Sequence, residues 1–314
     1  MKQVAIDSSE GFHLCNRERI PLWTTTPLGK VGHITLLSAY TQHIRHLEGF
    51  LHLDYAYNTL RAYKSSLSSL KRYMNGCDVS LTDLNLGFVE GYYQYQRTVD
   101  KLLPNSAFKN IKHLYRVIHV CIEKGYLTDN PFKQFPCRYK TPTRPYLTES
   151  EIETLLETNF TRPGLTHVRD IFIFQVYTGL AYTDIKHFSK NNIEVGIDGN
   201  QWLVINRQKT GIRSALPLLP RASAVLQKYD YKLPVISNQK MNEHLKDIAI
   251  ICKINKKITS HIGRHTFATT ITLNKGVPIE TVSKILGHTS LQTTMIYAQV
   301  VDSKVANDFK LLYT

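Results

Sequence analysis

Four runs of apolar residues at three- and four-residue steps fill the stretch from about Ile34 to Lys124. Such spacing puts the apolar side chains of each run on one helix face, so this part of the chain must fold as helices packed face to face. The first run holds Leu36, Leu37, Tyr40, Ile44, Leu47 and Leu51, and the second Leu60, Tyr63, Leu67, Leu70 and Tyr73. The third lies around Leu86–Tyr95, and the fourth holds Ile111, Leu114, Tyr115, Ile118 and Ile122, with Gly125 as a stop. Residues 34–128 are therefore expected to form a small helical bundle. Residues 1–33 have no sustained period and hold Pro21, Pro27, Gly29 and Gly32, which suggests an irregular extension. Residues 129–146 carry four prolines (131, 136, 142, 145) between Lys133, Arg138, Lys140 and Arg144, the signature of a stiff basic linker.

Residues 147–314 make a second expected domain, mixed α/β but mostly helical. Thr148-Glu149-Ser150-Glu151 is a capping box that opens a helix. A helix is expected over His167–Tyr177. Short strands follow near Ile193, at Gln201–Asn206 and at Ser214–Leu218, making a small antiparallel sheet. Further helices are expected at Ala222–Tyr229, Asn238–Cys252, Ser260–Asn274, Ile279–Leu286, Leu291–Ala298 and Val305–Leu311. The fold class is thus mainly α.

Lys and Arg total 39 against 25 Asp and Glu, a formal charge of +14. That excess favours a polyanionic partner, since each neutralised phosphate releases counterions. The competing explanation is a basic surface that only keeps the chain in solution. No segment approaches the roughly 20 apolar residues of a membrane span, and the N-terminus lacks a secretory pattern. The five cysteines, Cys15, Cys77, Cys121, Cys137 and Cys252, are odd in number, widely spaced and without a C-x-x-C pair. They suggest neither zinc nor a disulfide framework, and a reduced cytoplasmic setting fits.

The chemistry-bearing residues gather near the C-terminus. His261 and Arg264, three apart at a helix start, share a face. Arginine can fork two N–H groups onto a phosphate, and histidine exchanges protons near neutral pH. Taken alone, a histidine and an arginine at this spacing are more often unrelated. His265 lies four residues after His261, but no H-E-x-x-H pattern or third ligand supports a metal. Leu286-Gly287-His288 puts a histidine at the joint where Gly287 ends a helix, where it could also be a simple capping group. Tyr297 follows nine residues later in an apolar run and, in isolation, reads as a core tyrosine.

In combination the ordered set H-x-x-R-H-T-F-A, then L-G-H, then Tyr297 resembles the tyrosine recombinase (phage integrase) family. The resemblance extends over most of the chain. The segment N-P-F-K-Q-F leading into L-T-E-S-E is similar to integrases of Bacteroides-type mobile elements. It implies a SAM-like core-binding domain over 34–128 and a catalytic domain with a tail helix over 147–314. It implies a site-specific recombinase that breaks and rejoins strands through a 3′-phosphotyrosine, with no cofactor, metal or ATP. Tyr297 would be the nucleophile and Arg264 a phosphate clamp. His261 would accept the tyrosine proton, and His288 would bond a nonbridging oxygen. Lys209, in the turn Asn206-Arg207-Gln208-Lys209-Thr210-Gly211, matches the family's hairpin lysine and would protonate the leaving 5′ oxygen. The implied partners are double-stranded DNA, other protomers in a tetrameric synapse, and a host DNA-bending protein. The implied location is the bacterial nucleoid.

One position departs from the family. Its first arginine follows T-G-L, and here Thr178-Gly179-Leu180 is followed by Ala181. Asp184 matches the acidic residue that follows in the family. An alanine cannot bind phosphate, so another cation must substitute or the activity is impaired. Arg169 is the favoured substitute, although twelve residues of unbroken helix would separate it from position 181 by about 18 Å. Arg207 and Arg213, beside Lys209, are rivals. Competing readings are a catalytically impaired DNA-binding relative, a type IB topoisomerase-like enzyme, and a helical DNA-binding regulator without a nucleophile.

Overall fold

The computed structural model describes residues 34–136, 139, 144–297 and 309, and the backbone of 12–15 and 18–21. The expected tail helix near Val305–Leu311 lies outside the described residues, Phe309 excepted, and so does most of the 1–33 extension. Within that extension Phe12–Cys15 (β1) and Glu18–Pro21 (β2) pair antiparallel, Cys15 opposite Glu18. The chain divides into two compact units, Met1–Pro142 and Thr143–Thr314.

In the first unit four helices form, α1 (Leu36–Gly49), α2 (Tyr57–Met74), α3 (Leu86–Thr98) and α4 (Pro104–Glu123). The periodic residues close on one core: Leu36, Tyr40, Leu70, Phe88, Tyr92 and Leu114 are almost completely buried. Each such side chain contributes about 1.5–3 kcal/mol relative to exposure. Leu36 N donates to Val79 O (2.8 Å) and Leu81 N to Ile34 O (3.1 Å), so the entrance to α1 is tied to the segment after α2. Arg61, Lys64, Lys71, Arg72, Lys109, Lys112 and Arg116 are all exposed. Phe132 and Phe135, inside the stretch expected to be linker, pack against this core.

The second unit is built on α6 (Pro163–Thr178), whose Ile171–Val176 segment is buried on every side. It begins four residues earlier than expected because Pro163 suits a first helical turn. Around it stand α5 (Glu149–Glu157), α8 (Pro220–Lys228) and α9 (Asn238–Ile251). The capping box forms: Thr148 Oγ1 accepts from Glu151 N (3.2 Å), and Thr148 N donates to Glu151 Oε2 (2.8 Å). The strands β3 (Ile193–Val195), β4 (Gln201–Asn206) and β5 (Arg213–Pro217) form one antiparallel sheet in that order. A short helix not expected from the sequence, α7 (Tyr182–Lys186), follows Ala181. The helix expected over Ser260–Asn274 is instead α10 (Ser260–Thr266), a π-helical stretch at Phe267–Thr272 and a 3₁₀ turn at Leu273–Lys275. The cause is hydroxyl competition. Thr272 Oγ1 donates to Ala268 O (2.7 Å) and Phe267 O (3.0 Å), and Thr270 Oγ1 is drawn away to Leu147 O. Helices α11 (Ile279–Leu286) and α12 (Leu291–Met295) complete the unit. Among the described residues no helix is long and apolar enough to cross a membrane.

Candidate active site

Helix α10 approaches α6 so closely that a Cβ on Gly263 would sit 2.9 Å from Cβ of Gln175. The glycine lets α10 carry Arg264 inward. Arg264 is 8% exposed, and donates from Nη1 to Gly179 O (2.8 Å) and from Nη2 to Leu286 O (2.6 Å). Gly179 ends α6 in the left-handed region (φ 66°), which turns its carbonyl towards the guanidinium. A side chain there would run into the Phe267 ring. Burial, and then the neighbouring Arg207, lower the Arg264 pKa to about 10, so it remains a cation at neutral pH.

Arg207 is the second cation of this cluster. Strand β4 buries alternate residues, Leu203 and Ile205, and Arg207 continues that inward face just past its end. Its Nη1 donates to Asp184 Oδ2 (2.7 Å), and its Nη2 to Ile285 O (3.1 Å) and Gly179 O (3.4 Å). Asp184 also accepts from Gln208 N (3.0 Å) and Ala181 N (3.2 Å). The carboxylate therefore fixes the arginine, the hairpin and the start of α7 together. Gly287, ending α11 at φ 63°, leaves room for Arg207, whose Cγ would lie 2.7 Å from an added Cβ.

His288 follows Gly287. Its Nε2 accepts from Arg264 Nη2 (3.0 Å), so its proton sits on Nδ1, 2.8 Å from Thr294 Oγ1. Burial and the two arginines hold its pKa down, at about 4. Tyr297 is 6% exposed, and its ring stacks on His288 (centroids 6.1 Å, 11°) and leans on His265 (4.9 Å, 56°). His261 is exposed at the opening of α10, 4.6 Å from the His265 ring. Crowding by protein atoms, then the charges of Arg144, Arg264 and Lys209, lower its pKa. Lys209 is exposed in the turn between β4 and β5, which Arg207 O closes by accepting from Gly211 N (2.8 Å).

The structure thus gathers Arg264, His288, Tyr297 and His261, with Lys209 close enough for its charge to act on His261. It does not gather Arg169, and the expectation for that residue needs correction. Helix α6 is unbroken, so Arg169 stands about 15 Å back along it from Gly179. Its Nη1 donates there to Leu155 O (2.9 Å) and Leu156 O (3.0 Å), and its Nε to Asp170 Oδ1 (2.6 Å). Arg213 pairs with Asn206 on the outward face of the hairpin and is exposed. Strand parity is the signal that separates Arg207 from Arg213, and it was available in the sequence. Thr294 and Arg144, which also touch the cluster's histidines, carried no such signal.

Three comparisons bear on this cluster. The description "Phage integrase family" matches residues 145–304, and "Phage integrase SAM-like domain" matches residues 35–140. Tyrosine recombinase XerD of Listeria monocytogenes is 26% identical over 84% of this chain and 97% of its own length. A tyrosine recombinase of Thermosipho africanus is 25% identical over 89% and 99%. Among solved structures, the Tn1549 transposon integrase in complex with a circular intermediate DNA superposes with a TM-score of 0.69 at 14% identity, covering 88% of this chain and 99% of that one. A lambda integrase tetramer bound to a Holliday junction gives 0.68 at 17%, covering 85% and 78%.

Proposed function

Because the chain belongs to the phage integrase family, whose members are site-specific recombinases, we propose that it cuts and rejoins DNA through a covalent bond to Tyr297. The observation that carries this reading is the convergence of two buried guanidiniums, Arg264 and Arg207, on the Gly179 carbonyl beside the Tyr297 ring. Two fixed cations in a site largely closed to water stabilise a phosphorane far better than they would in solvent.

The Tyr297 oxygen attacks the scissile phosphorus and its proton passes to His261, which is neutral at pH 7. The bond to the 5′ oxygen breaks, and Lys209 protonates that oxygen. The product is a 3′-phosphotyrosine and a free 5′-hydroxyl. A 5′-hydroxyl from a second duplex then attacks the phosphotyrosine and releases Tyr297. Arg264 and Arg207 bear on the nonbridging oxygens, Arg207 supplying the charge that Ala181 lacks. His288 donates to one of these oxygens after a proton shift or a ring adjustment, since its Nε2 accepts from Arg264. Residues 34–128 act as a core-type DNA-binding domain and residues 147–314 as the catalytic domain. The partners are duplex DNA, further protomers in a tetrameric synapse and a host DNA-bending protein, at the nucleoid.

The test is a nicked suicide duplex taken from the flanks of the protein's own gene, resolved on a denaturing gel. Wild type should give a covalent adduct and Tyr297→Phe none. Specific binding without an adduct from wild type would overturn the reading in favour of an impaired DNA-binding relative.

A further inference from the structure

One cation at the site has no part in the chemistry above. Arg144 places Nη1 3.0 Å from Nε2 of His261 and 3.5 Å from Nε2 of His265. The segment that carries it is pinned to the catalytic helix. Leu147, completely buried, donates its N–H to Thr266 Oγ1 (3.0 Å) and accepts from Thr270 Oγ1. Tyr146 O accepts from Lys256 Nζ (2.9 Å), which also bonds Glu151 (2.6 Å). Pro145 restricts Arg144 itself to extended backbone. The backbone on its C-terminal side is anchored, and the Arg144 side chain is exposed.

A guanidinium only donates, so the bond to His261 occupies a lone pair of the imidazole and leaves its proton on Nδ1. That lone pair is one a base needs. The charges crowding His261 are all positive: Arg144, Arg264 and Lys209, with His265 neutral beside it. Among the described residues no carboxylate forms an ion pair with Arg144.

We propose that Arg144 is a further phosphate-binding residue of the recombination site, which exchanges its bond to His261 for one to a scissile-phosphate oxygen. The proposal rests on the roles given above to Tyr297 and His261. A phosphate offers the guanidinium an opposite charge and two acceptor oxygens for its fork of donors, where a neutral imidazole offers one lone pair. The exchange therefore runs towards the phosphate, and it frees His261 to take the tyrosine proton in the same movement. Substrate binding and unmasking of the base become one event.

The experiment measures DNA affinity and the single-turnover rate of adduct formation at saturating protein, on the same nicked duplex, for wild type, Arg144→Lys and Arg144→Ala. Arg144→Ala should slow adduct formation by about ten- to a hundredfold, in the range of losing one transition-state donor, while affinity falls far less. Arg144→Lys should recover part of the rate. On a duplex with a neutral methylphosphonate at the scissile position the alanine penalty should shrink, as coupled partners do in a double-mutant cycle. Equal rates for wild type and Arg144→Ala would overturn the assignment and leave the role of Tyr297 intact. So would an alanine penalty that persists unchanged on the methylphosphonate. Absence of adduct from wild type would defeat the reading of Tyr297 and this assignment with it.

Discussion

The second unit holds two arginine–aspartate pairs, one half-buried and one buried, with the same chemistry and different surroundings. Arg169 and Asp170 lie 2.6 Å apart, and Arg207 and Asp184 2.7 Å. Around the first, Lys228 and Tyr229 also bond Asp170, and the arginine closes the last carbonyls of α5. The carboxylate there is balanced by two cations and a hydroxyl, and the group joins α5, α6 and α8. Around the second, one aspartate serves two backbone N–H groups and an arginine; burial lowers both guanidinium pKa values, and the charge of Arg207 lowers that of Arg264 further. Uncompensated positive charge is costly in a core. Its accumulation beside Tyr297 is what a site for an anion requires, whereas the balanced pair is architecture.

The largest expected effect breaks the second pair. Arg207→Ala should lower adduct formation by about 10²–10³ at saturating DNA. Because it strands Asp184 in the interior, Arg207→Met with Asp184→Asn should be assayed beside it, with circular dichroism as the check on folding. Retention of wild-type rate in a folded double variant would sink the assignment of Arg207. Arg169→Ala should do the reverse. Asp170 keeps Lys228 and Tyr229, so urea unfolding should register a loss of about 1–3 kcal/mol, with the cleavage rate per folded molecule unchanged. A larger rate loss here than at Arg207 would restore Arg169 as the substitute cation. Thr294→Val removes the partner of His288 Nδ1 and should cost about 1 kcal/mol of transition-state stabilisation, roughly a fivefold slower adduct.

The smallest effect concerns pH. Burial works to raise the Asp170 carboxyl, but hydrogen bonds from Lys228 and Tyr229 and the charge of Arg169 outweigh it, so its pKa lies below the usual range. The pair's stabilisation is therefore complete above the unfolded pKa of about 3.9 and is lost as pH falls through the folded value. Asp170→Asn should flatten the acid limb of a stability–pH curve. If wild type and variant show parallel limbs, Asp170 is not the group responsible.

Much of this was legible before any coordinates. The periods in α1, α2 and α4 named their buried faces, because a helix with one apolar stripe has one way to bury it. Thr148 and Glu151 marked a helix start through a local bond that needs nothing distant. The π-helical stretch after α10 was not legible, since beside the local bonds of Thr272 it involves the bond from Thr270 to Leu147, more than a hundred residues away in sequence. Helix α7 was missed because five residues carry too little periodicity to read.

The sequence by itself determined the fold class, the two apolar cores and the order H-x-x-R, L-G-H, Tyr, all properties of local spacing. Only the tertiary structure decided which arginine joins Arg264. Arg169 and Arg207 are equally plausible as letters. One is held on a straight helix facing α5, and the other is carried inward by strand parity into the space that Gly179 and Gly287 leave open. Strand parity, legible in the sequence, aims Arg207 inward, but which charges and carbonyls it meets there is decided by segments distant in the chain.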